Sequence, residues 1–213
     1  MGVGGVARAF LGKHFHTVAK LYRAAFVDLV AVASIVSESI PEGATVLDVG
    51  GGDGAPLNYL LALRPDLRIV MIDIAPSVGG ALDDRYASRV QRLPETPVET
   101  YRGTRPDAAL IMDVVHHVPE AQRDHFFGEL AALARLHGLR RIIVKEVGTG
   151  HIRSVLGLLA DRYISGDKNV RLVPVEALAA RLRDALGNGW TVAETRLRQI
   201  DPPNYCLVAS LSS

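Results

Sequence analysis

A chain of 213 residues with 48% hydrophobic content is long enough for one well-buried α/β domain, and no Pro/Gly/Ser-rich linker divides it. The formal net charge of +1 and the scattered arginines give no long-range field for a polyanion, which argues against a nucleic-acid partner. Cys206 is the only cysteine, which excludes an intramolecular disulfide and suits a reducing, cytoplasmic setting, and no stretch approaches the ~18 uninterrupted apolar residues of a membrane span.

Residues 1–43 have the apolar pattern of an amphipathic helix. The apolar positions that recur at the spacing of one helix face are Leu11, Phe15, Val18, Tyr22, Phe26, Leu29, Ala33 and Val36. This pattern predicts a helical cap that packs on a core formed by residues 44–213. We therefore expect one domain over residues 1–213.

Residues 46–54, VLDVGGGDG, place a dense glycine turn between a strand and a helix. Thr45–Val49 is short, apolar and β-branched, as a buried strand is, and Pro56 suits the first turn of a helix. Glycine permits the tight turn between them and lets a ligand approach the main chain. The turn is flanked by Asp48 and Asp53. The segment therefore predicts a ligand cradle.

The rest of the chain alternates between strand and helix patterns. Strands are predicted at 68–74, 89–93, 107–114 and 139–147. Helices are predicted at 119–137, 152–163 and 174–186, and a terminal hairpin at 190–200 and 204–211. Strands separated by helices imply right-handed crossovers and a mostly parallel, doubly wound sheet, with ligand sites at the carboxyl ends of its strands.

The glycine turn is compatible with two classes of cofactor. Gly50, Gly52 and Ala55 satisfy the dinucleotide pattern, and an acid, Asp73, follows about 20 residues on. Two like charges ~4 Å apart repel by about 4 kcal/mol at an effective dielectric near 20, so flanking carboxylates disfavour a pyrophosphate here. A cofactor with a sulfonium and an ammonium suits the turn better.

At this point the chain resembles the class I S-adenosylmethionine-dependent methyltransferases. Their first motif is an acid-x-Gly-x-Gly-x-Gly turn, and the positions that match it are Asp48, Gly50, Gly52 and Gly54. The resemblance continues through residues 71–77, 109–119 and 141–147, and covers roughly 44–211. It implies a seven-stranded, mostly parallel α/β sheet with helices on both faces and an antiparallel terminal hairpin. It also implies S-adenosyl-L-methionine as the cofactor.

The resemblance suggests which residues bind that cofactor. Asp73 would bind the ribose hydroxyls, the alternative being a helix cap, and Asp48 would contact the cofactor directly or through water, or cap turn amides. Asp53 is either a cofactor contact or an ordinary turn residue. The remaining expected contacts are Gly50, Gly51, Gly52, Gly54, Ile74, Leu93 and Asp113. The family often has an acid after its third strand for the adenine amino group, whereas this chain has Pro94 before Glu95.

His116 and His117 follow the strand predicted at 107–114, and either is a candidate catalytic base, because histidine titrates near neutrality. The alternative is a histidine that only bonds a carbonyl inside the structure. Lys145, Glu146 and Tyr22 are candidate substrate contacts, with ion pairing or a solvated helix face as the alternative roles. No zinc-type His or Cys spacing occurs, so we expect no metal.

These observations predict an enzyme that moves the sulfonium methyl of S-adenosylmethionine to an O, N or C nucleophile of a small molecule, a metabolite or natural product. Residues 148–174 form a possible insert that walls the acceptor site. The alternatives are a methyltransferase-like protein that binds the cofactor without transfer and, less favoured, an NAD(P)-dependent oxidoreductase. The sequence leaves the oligomeric state open, a homodimer being one option.

Overall fold

The computed structural model describes residues 27–154 and 170–212. Within them the strands are β1 (Thr45–Val49), β2 (Arg68–Ile72), β3 (Val90–Leu93), β4 (Ala108–Met112), β5 (Arg141–Val147), β6 (Trp190–Glu194) and β7 (Asn204–Leu211). The helices are α1 (Leu29–Glu38), α2 (Ala55–Leu63), α3 (Glu120–His137), α4 (Val175–Leu186) and the short α5 (Leu197–Ile200). Short 3-10 helices cover Asp84–Arg89, Val98–Thr100 and Val115–His117.

The seven strands form one sheet in the order β3-β2-β1-β4-β5-β7-β6. Strands β1 to β5 are parallel, whereas β7 runs antiparallel to both β5 and β6. The order reverses between β1 and β4, where a doubly wound sheet opens a crevice for a ligand. The α/β class, the mostly parallel seven-stranded sheet and the antiparallel terminal hairpin are confirmed.

Helices cover both faces of this sheet, because the strands β1, β2, β4 and β5 have apolar side chains that alternate to both sides. One buried cluster joins Leu47 and Ile111 to residues of α3 and α4, such as Phe127 and Leu178. The other joins Val46 to residues of α1 and α2. The described part of the expected cap, α1, thus packs on the core. None of the helices in residues 27–154 and 170–212 has both the length and the apolarity needed to cross a bilayer.

The predicted helix ends agree with their local signals. Helix α3 ends at Gly138, whose backbone is left-handed (φ 63°), and α4 ends before Gly187. The predicted strand at 190–200 was wrong in its second half. Strand β6 ends at Glu194, and Leu197–Ile200 form a helical turn with Leu197 buried against the α1 side of the sheet. Tyr22 and residues 155–163 of the predicted helix lie outside the described residues.

Candidate functional site

The candidate site lies at the edge of the sheet where the parallel strands end. The glycine turn follows β1, Asp73 follows β2, Asp113 follows β4, and Glu146 lies near the end of β5. Parallel strands bring their carboxyl ends to one edge, so residues far apart in the chain meet there. The predicted cofactor and substrate residues of these four strands therefore share one edge.

The turn after β1 requires glycine for two different reasons. Gly50 and Gly51 donate their N–H groups to the Ile72 carbonyl at 2.9 and 3.1 Å, which holds the turn against β2. A Cβ on Gly50 would lie 2.7 Å from Val114 Cγ2, whereas a Cβ on Gly52 would meet no atom of the described residues nearer than 3.9 Å. Gly52 is nevertheless in the left-handed region, at φ +52°. No described residue thus covers the outer side of the turn at Gly52.

Asp48 is a buried carboxylate under this turn. It is 2% exposed, and a Cβ on Gly51 would lie 2.7 Å from its Oδ2 atom. Within the described ranges, no hydrogen bond joins this carboxylate to another residue. Burial, and next the negative charge of Asp73, raise the pKa of Asp48 from 3.8 to about 7. Among the described residues, no cation pairs with Asp48, so a cationic ligand would complement it.

Asp73 is held in place by the glycine turn and by its own loop. Its Oδ2 accepts a hydrogen bond from the Gly52 N–H at 2.8 Å, and its Oδ1 accepts one from the Ala75 N–H at 2.8 Å. Each oxygen keeps a second lone pair, which is the arrangement that two ribose hydroxyls need. Ile74, the next residue, is 78% exposed, while Leu93 at the end of β3 packs partly against the core.

Gly54 and Asp53 form the start of α2. Gly54 is the N-cap, with a left-handed backbone at φ 75°, and a Cβ there would lie 3.1 Å from Met71 Cε. The Asp53 side chain accepts a hydrogen bond from the Ala55 N–H, two positions on, at 3.1 Å, which is a contact that an ordinary turn residue makes. Its role as a cofactor contact stays a prediction.

Asp113 and Lys145 form an ion pair at the ends of β4 and β5. The Lys145 ammonium donates to both Asp113 oxygens at 2.8 Å, and the Asp113 N–H donates to the Lys145 carbonyl at 2.9 Å. Lys145 is 1% exposed, whereas the Asp113 side chain is 36% exposed. Asp113 also has a left-handed backbone, at φ 56°. Lys145 thus acts in this structure by holding Asp113 at the edge of the site.

His116 and Glu146 form a second buried pair beside the first. His116 Nδ1 lies 2.6 Å from Glu146 Oε2, and Glu146 Oε1 accepts the Val115 N–H at 2.6 Å. Complete burial alone would raise the pKa of Glu146. The charge of His116 and its hydrogen bond to Glu146, followed by the charge of Lys145 and the Val115 amide, outweigh burial and hold that pKa below its usual value. Because Glu146 is a carboxylate, Nδ1 is the donor in this pair.

The two adjacent histidines differ in burial. His116 is 4% exposed, while His117 is exposed, and their ring centroids lie 4.1 Å apart at an interplanar angle of 41°. His116 has a carboxylate partner, Glu146, that orients its imidazole for proton transfer. This pairing makes His116 a candidate general base, and the role of His117 stays a prediction.

Asp113, His116 and Glu146 also have potential ligand atoms within 4.8 Å of one another. However, the Lys145 ammonium already binds both Asp113 oxygens, and both Glu146 oxygens accept hydrogen bonds. A divalent cation here would lie beside an ammonium group. The Lys145–Asp113 ion pair and the hydrogen-bonded His116–Glu146 pair fit these contacts better than a metal site.

Sequence reasoning missed Arg123, which lies on the buried face of α3 with Phe127, Leu130 and Ala134. Its guanidinium donates to the Val118 and Arg171 carbonyls at 3.0 and 2.6 Å. An arginine at an apolar position of a helix pattern was a visible signal. What it contacts could not be read from the pattern, because Arg171 is 48 positions away.

Comparisons with solved structures agree with this topology. The human N-acetylserotonin methyltransferase, solved with S-adenosylmethionine, superposes with a TM-score of 0.66 at 15% identity, covering 95% of this chain and 56% of that one. A Burkholderia thailandensis 1,6-didemethyltoxoflavin-N1-methyltransferase, solved with its substrate and S-adenosylhomocysteine, gives 0.63 at 19% identity, covering 98% and 88%. An O-methyltransferase of neocarzinostatin biosynthesis gives 0.65 at 16% identity, covering 95% and 58%. The chain has the class I methyltransferase fold.

Similarity in sequence is confined to a shorter segment. The ribosomal RNA small subunit methyltransferase G of Thermobifida fusca is 36% identical over 69 residues, which cover 32% of this chain and 27% of that protein. No protein-family model matches the chain. The chain spans little more than half the length of two of the structures above. Its own activity, acceptor and partners therefore belong to the proposal that follows.

Proposed function

We propose that this protein is an S-adenosylmethionine-dependent methyltransferase whose acceptor is a small molecule with an ionisable O–H or N–H group. The observation that carries the proposal is Asp48, a buried carboxylate under the glycine turn with which no cation of residues 27–154 or 170–212 pairs. A sulfonium or an ammonium near Asp48 would stabilise its ionised form, whereas a pyrophosphate would be repelled.

The residues at this edge fit the parts of the cofactor. Asp73 would hold the ribose hydroxyls, Ile74 and Leu93 would contact the adenine ring, and the turn at Gly50–Gly54 would accommodate the methionine portion above Asp48. Asp113 would contribute a further carboxylate at the same edge. When bound, S-adenosylmethionine supplies a methyl group activated by a positively charged sulfur.

His116 would act on the acceptor. Because Glu146 holds Nδ1, Nε2 would take the proton of the acceptor as the acceptor atom bonds to the methyl carbon and the sulfur–methyl bond breaks, with S-adenosylhomocysteine leaving as the neutral thioether. Glu146 would stabilise the imidazolium that forms. Such a base typically contributes about 10²- to 10⁴-fold to the rate. A proton acceptor at this position favours hydroxyl or amine acceptors over nucleophiles that carry no proton.

The small net charge of the chain, its scattered arginines and its structural neighbours favour a small-molecule acceptor. The N1-methyltransferase and the neocarzinostatin enzyme were solved with a small aromatic acceptor. RNA is the competing acceptor, because the match in sequence is to a ribosomal RNA methyltransferase. The placement of residues 148–174 as a wall of the acceptor site, a homodimeric state and a cytoplasmic location remain parts of this proposal.

The test measures binding and transfer separately. Calorimetry compares S-adenosylmethionine, S-adenosylhomocysteine and NADH as ligands of the purified protein. Transfer of a radiolabelled methyl group is then measured to a panel of phenols, hydroxylated aromatic acids and aromatic amines, and in parallel to small-subunit ribosomal RNA. We expect binding of both sulfur ligands, and transfer to a member of the panel that falls by at least about 100-fold in His116→Gln.

Each contrary result has a distinct meaning. Tight NADH binding without S-adenosylmethionine binding would refute the cofactor. Transfer to the RNA alone would refute the small-molecule acceptor. Cofactor binding without methyl transfer to the small-molecule panel or to the ribosomal RNA would identify a binding protein with no methyltransferase activity. Full activity in His116→Gln would refute the assigned base.

A further inference from the structure

Arg123 is a buried charge that none of the roles proposed above uses. It lies in the first turns of α3 and is 4% exposed. Burial lowers the pKa of Arg123, an effect that Glu120 and Glu146 partly offset. A buried arginine is unfavourable unless its donors are used, and the fork of a guanidinium can serve two acceptors at once.

The two acceptors of Arg123 are both connected to the backbone of His116. Its Nε donates to the Val118 carbonyl at 3.0 Å, directly after the 3-10 turn Val115–His117. Its Nη2 donates to the Arg171 carbonyl at 2.6 Å. The Arg171 N–H in turn donates to the His116 carbonyl at 2.9 Å. Arg123 thus closes a ring of hydrogen bonds around the backbone of His116.

Glu146 fixes the other end of the same turn. It accepts the Val115 N–H and holds the His116 ring, whereas Arg123 holds the residue that follows the turn. The Arg171 segment is itself anchored, since Val170 and Val173 are buried and the Tyr205 hydroxyl donates to the Val173 carbonyl at 2.9 Å. The guanidinium therefore ties the His116 turn to a segment that the core already holds.

We propose that Arg123 is a positioning residue for methyl transfer, which fixes the location of His116 through its hydrogen bonds to the Val118 and Arg171 carbonyls. This inference rests on the proposed function, in which His116 is the base. It does not place Arg123 in contact with the cofactor or the acceptor. A displacement of about 1 Å can reduce a rate by about 100-fold, so loss of this connection affects turnover more than binding.

The test compares Arg123→Met, which removes charge and donors, with Arg123→Lys, which keeps the charge but has one donor nitrogen. We expect kcat to fall by about 10- to 100-fold in Arg123→Met and by less in Arg123→Lys. The KM for the acceptor and the Kd for S-adenosylmethionine should change by less than about 3-fold. A fall in kcat accompanied by an equally large rise in the KM for the acceptor and in the Kd for S-adenosylmethionine would overturn the positioning role.

Arg89 provides a matched control. Its guanidinium also donates to two carbonyls, those of Arg64 and Leu61, at 3.0 and 2.9 Å, and it lies at the opposite edge of the sheet, before β3. Arg89→Met removes a comparable connection without touching His116, so kcat should be retained at a temperature well below both melting points. A similar fall of kcat in Arg89→Met and Arg123→Met would overturn the inference.

A double-mutant cycle separates positioning from general destabilisation. Because Arg123 acts through His116, Arg123→Met should lower kcat in the wild-type background and leave it unchanged in the His116→Gln background. Equal reductions in both backgrounds would overturn the inference while leaving His116 as the base. Full activity in His116→Gln would instead refute the assignment of His116 as the base, on which this inference rests.

One further readout does not need turnover. Hydrogen exchange should accelerate at the amide of Arg171 in Arg123→Met, because its acceptor, the His116 carbonyl, is no longer held. The same amide should keep its protection in Arg89→Met. Unchanged exchange at Arg171 in Arg123→Met would overturn the inference even if no acceptor were found.

Discussion

Replacing Asp48 by Asn should stabilise the ligand-free protein at alkaline pH while weakening cofactor binding. Asn has nearly the same shape but no proton to lose. In the wild type, burial and the charge of Asp73 raise the pKa of Asp48 to about 7, compared with 3.8 for an ordinary aspartate. The folded state therefore keeps a proton on Asp48 that the unfolded state has released between about pH 4 and pH 7.

The sign and size of the effect follow from this difference. The unfolded chain binds fewer protons in that window, so the free energy of unfolding falls as pH rises and stops falling above about pH 7. The gap between the two pKa values is equivalent to about 4 kcal/mol. Asp48→Asn should therefore gain up to about 4 kcal/mol relative to the wild type between pH 4 and pH 8.

Urea unfolding of both proteins at pH 4, 6 and 8 measures this gain. Asp66 supplies a control of opposite sign, because its hydrogen bond to Arg64 holds the pKa of Asp66 well below its usual value. Asp66 stabilises the fold above its unfolded-state pKa and loses this effect as pH falls, so Asp66→Asn should be less stable than the wild type at pH 8. A constant difference between Asp48→Asn and the wild type across pH would refute the reasoning.

Cofactor binding provides the second half of the same test. At pH 6 the wild type should release a proton when S-adenosylmethionine binds, because a nearby cation restores the Asp48 carboxylate. Calorimetry in buffers of different ionisation enthalpy detects this proton. Asp48→Asn should release none and should bind about 10- to 100-fold more weakly, the expected loss of one charged hydrogen bond. Equal affinity in the variant would exclude Asp48 from the cofactor site.

Three further predictions concern the same edge of the sheet. Gly52→Ala should lose about 1–2 kcal/mol of stability in urea unfolding, because residue 52 has a left-handed backbone. The same variant should bind S-adenosylmethionine more than 10-fold more weakly, because the new methyl group occupies the outer side of the turn. Retained affinity would place the ligand elsewhere. Glu146→Gln should lower kcat by about 100-fold at unchanged KM, since the imidazolium loses its counter-charge. An unchanged kcat would refute a role of the His116–Glu146 pair in methyl transfer. Activity in steady-state assays should survive EDTA, because Lys145 already binds Asp113, and restoration of an EDTA-treated protein by a divalent cation would establish a metal site.

The order of the elements and the glycine turn were predictable from the sequence because their causes are local. Strand β1 was predicted with its observed bounds, since five successive residues of suitable type are enough. Helix α3 ends where Gly138 allows a left-handed residue, again a property of one position. The second half of the strand predicted at 190–200 was wrong because Leu197 is buried by its position against the core, which an alternation pattern does not encode.

The site itself was decided by tertiary structure. The carboxylate partner of His116 is Glu146, 30 positions away on a neighbouring strand, and the register of β4 against β5 decides that pairing. The role of Arg123 depends on a carbonyl 48 positions away. The raised pKa of Asp48 requires both burial and the nearby charge of Asp73. A single sequence specifies residue types and local periodicity, but distances between remote side chains arise only when the strands pair and the helices pack, because burial and charge interactions depend on those distances.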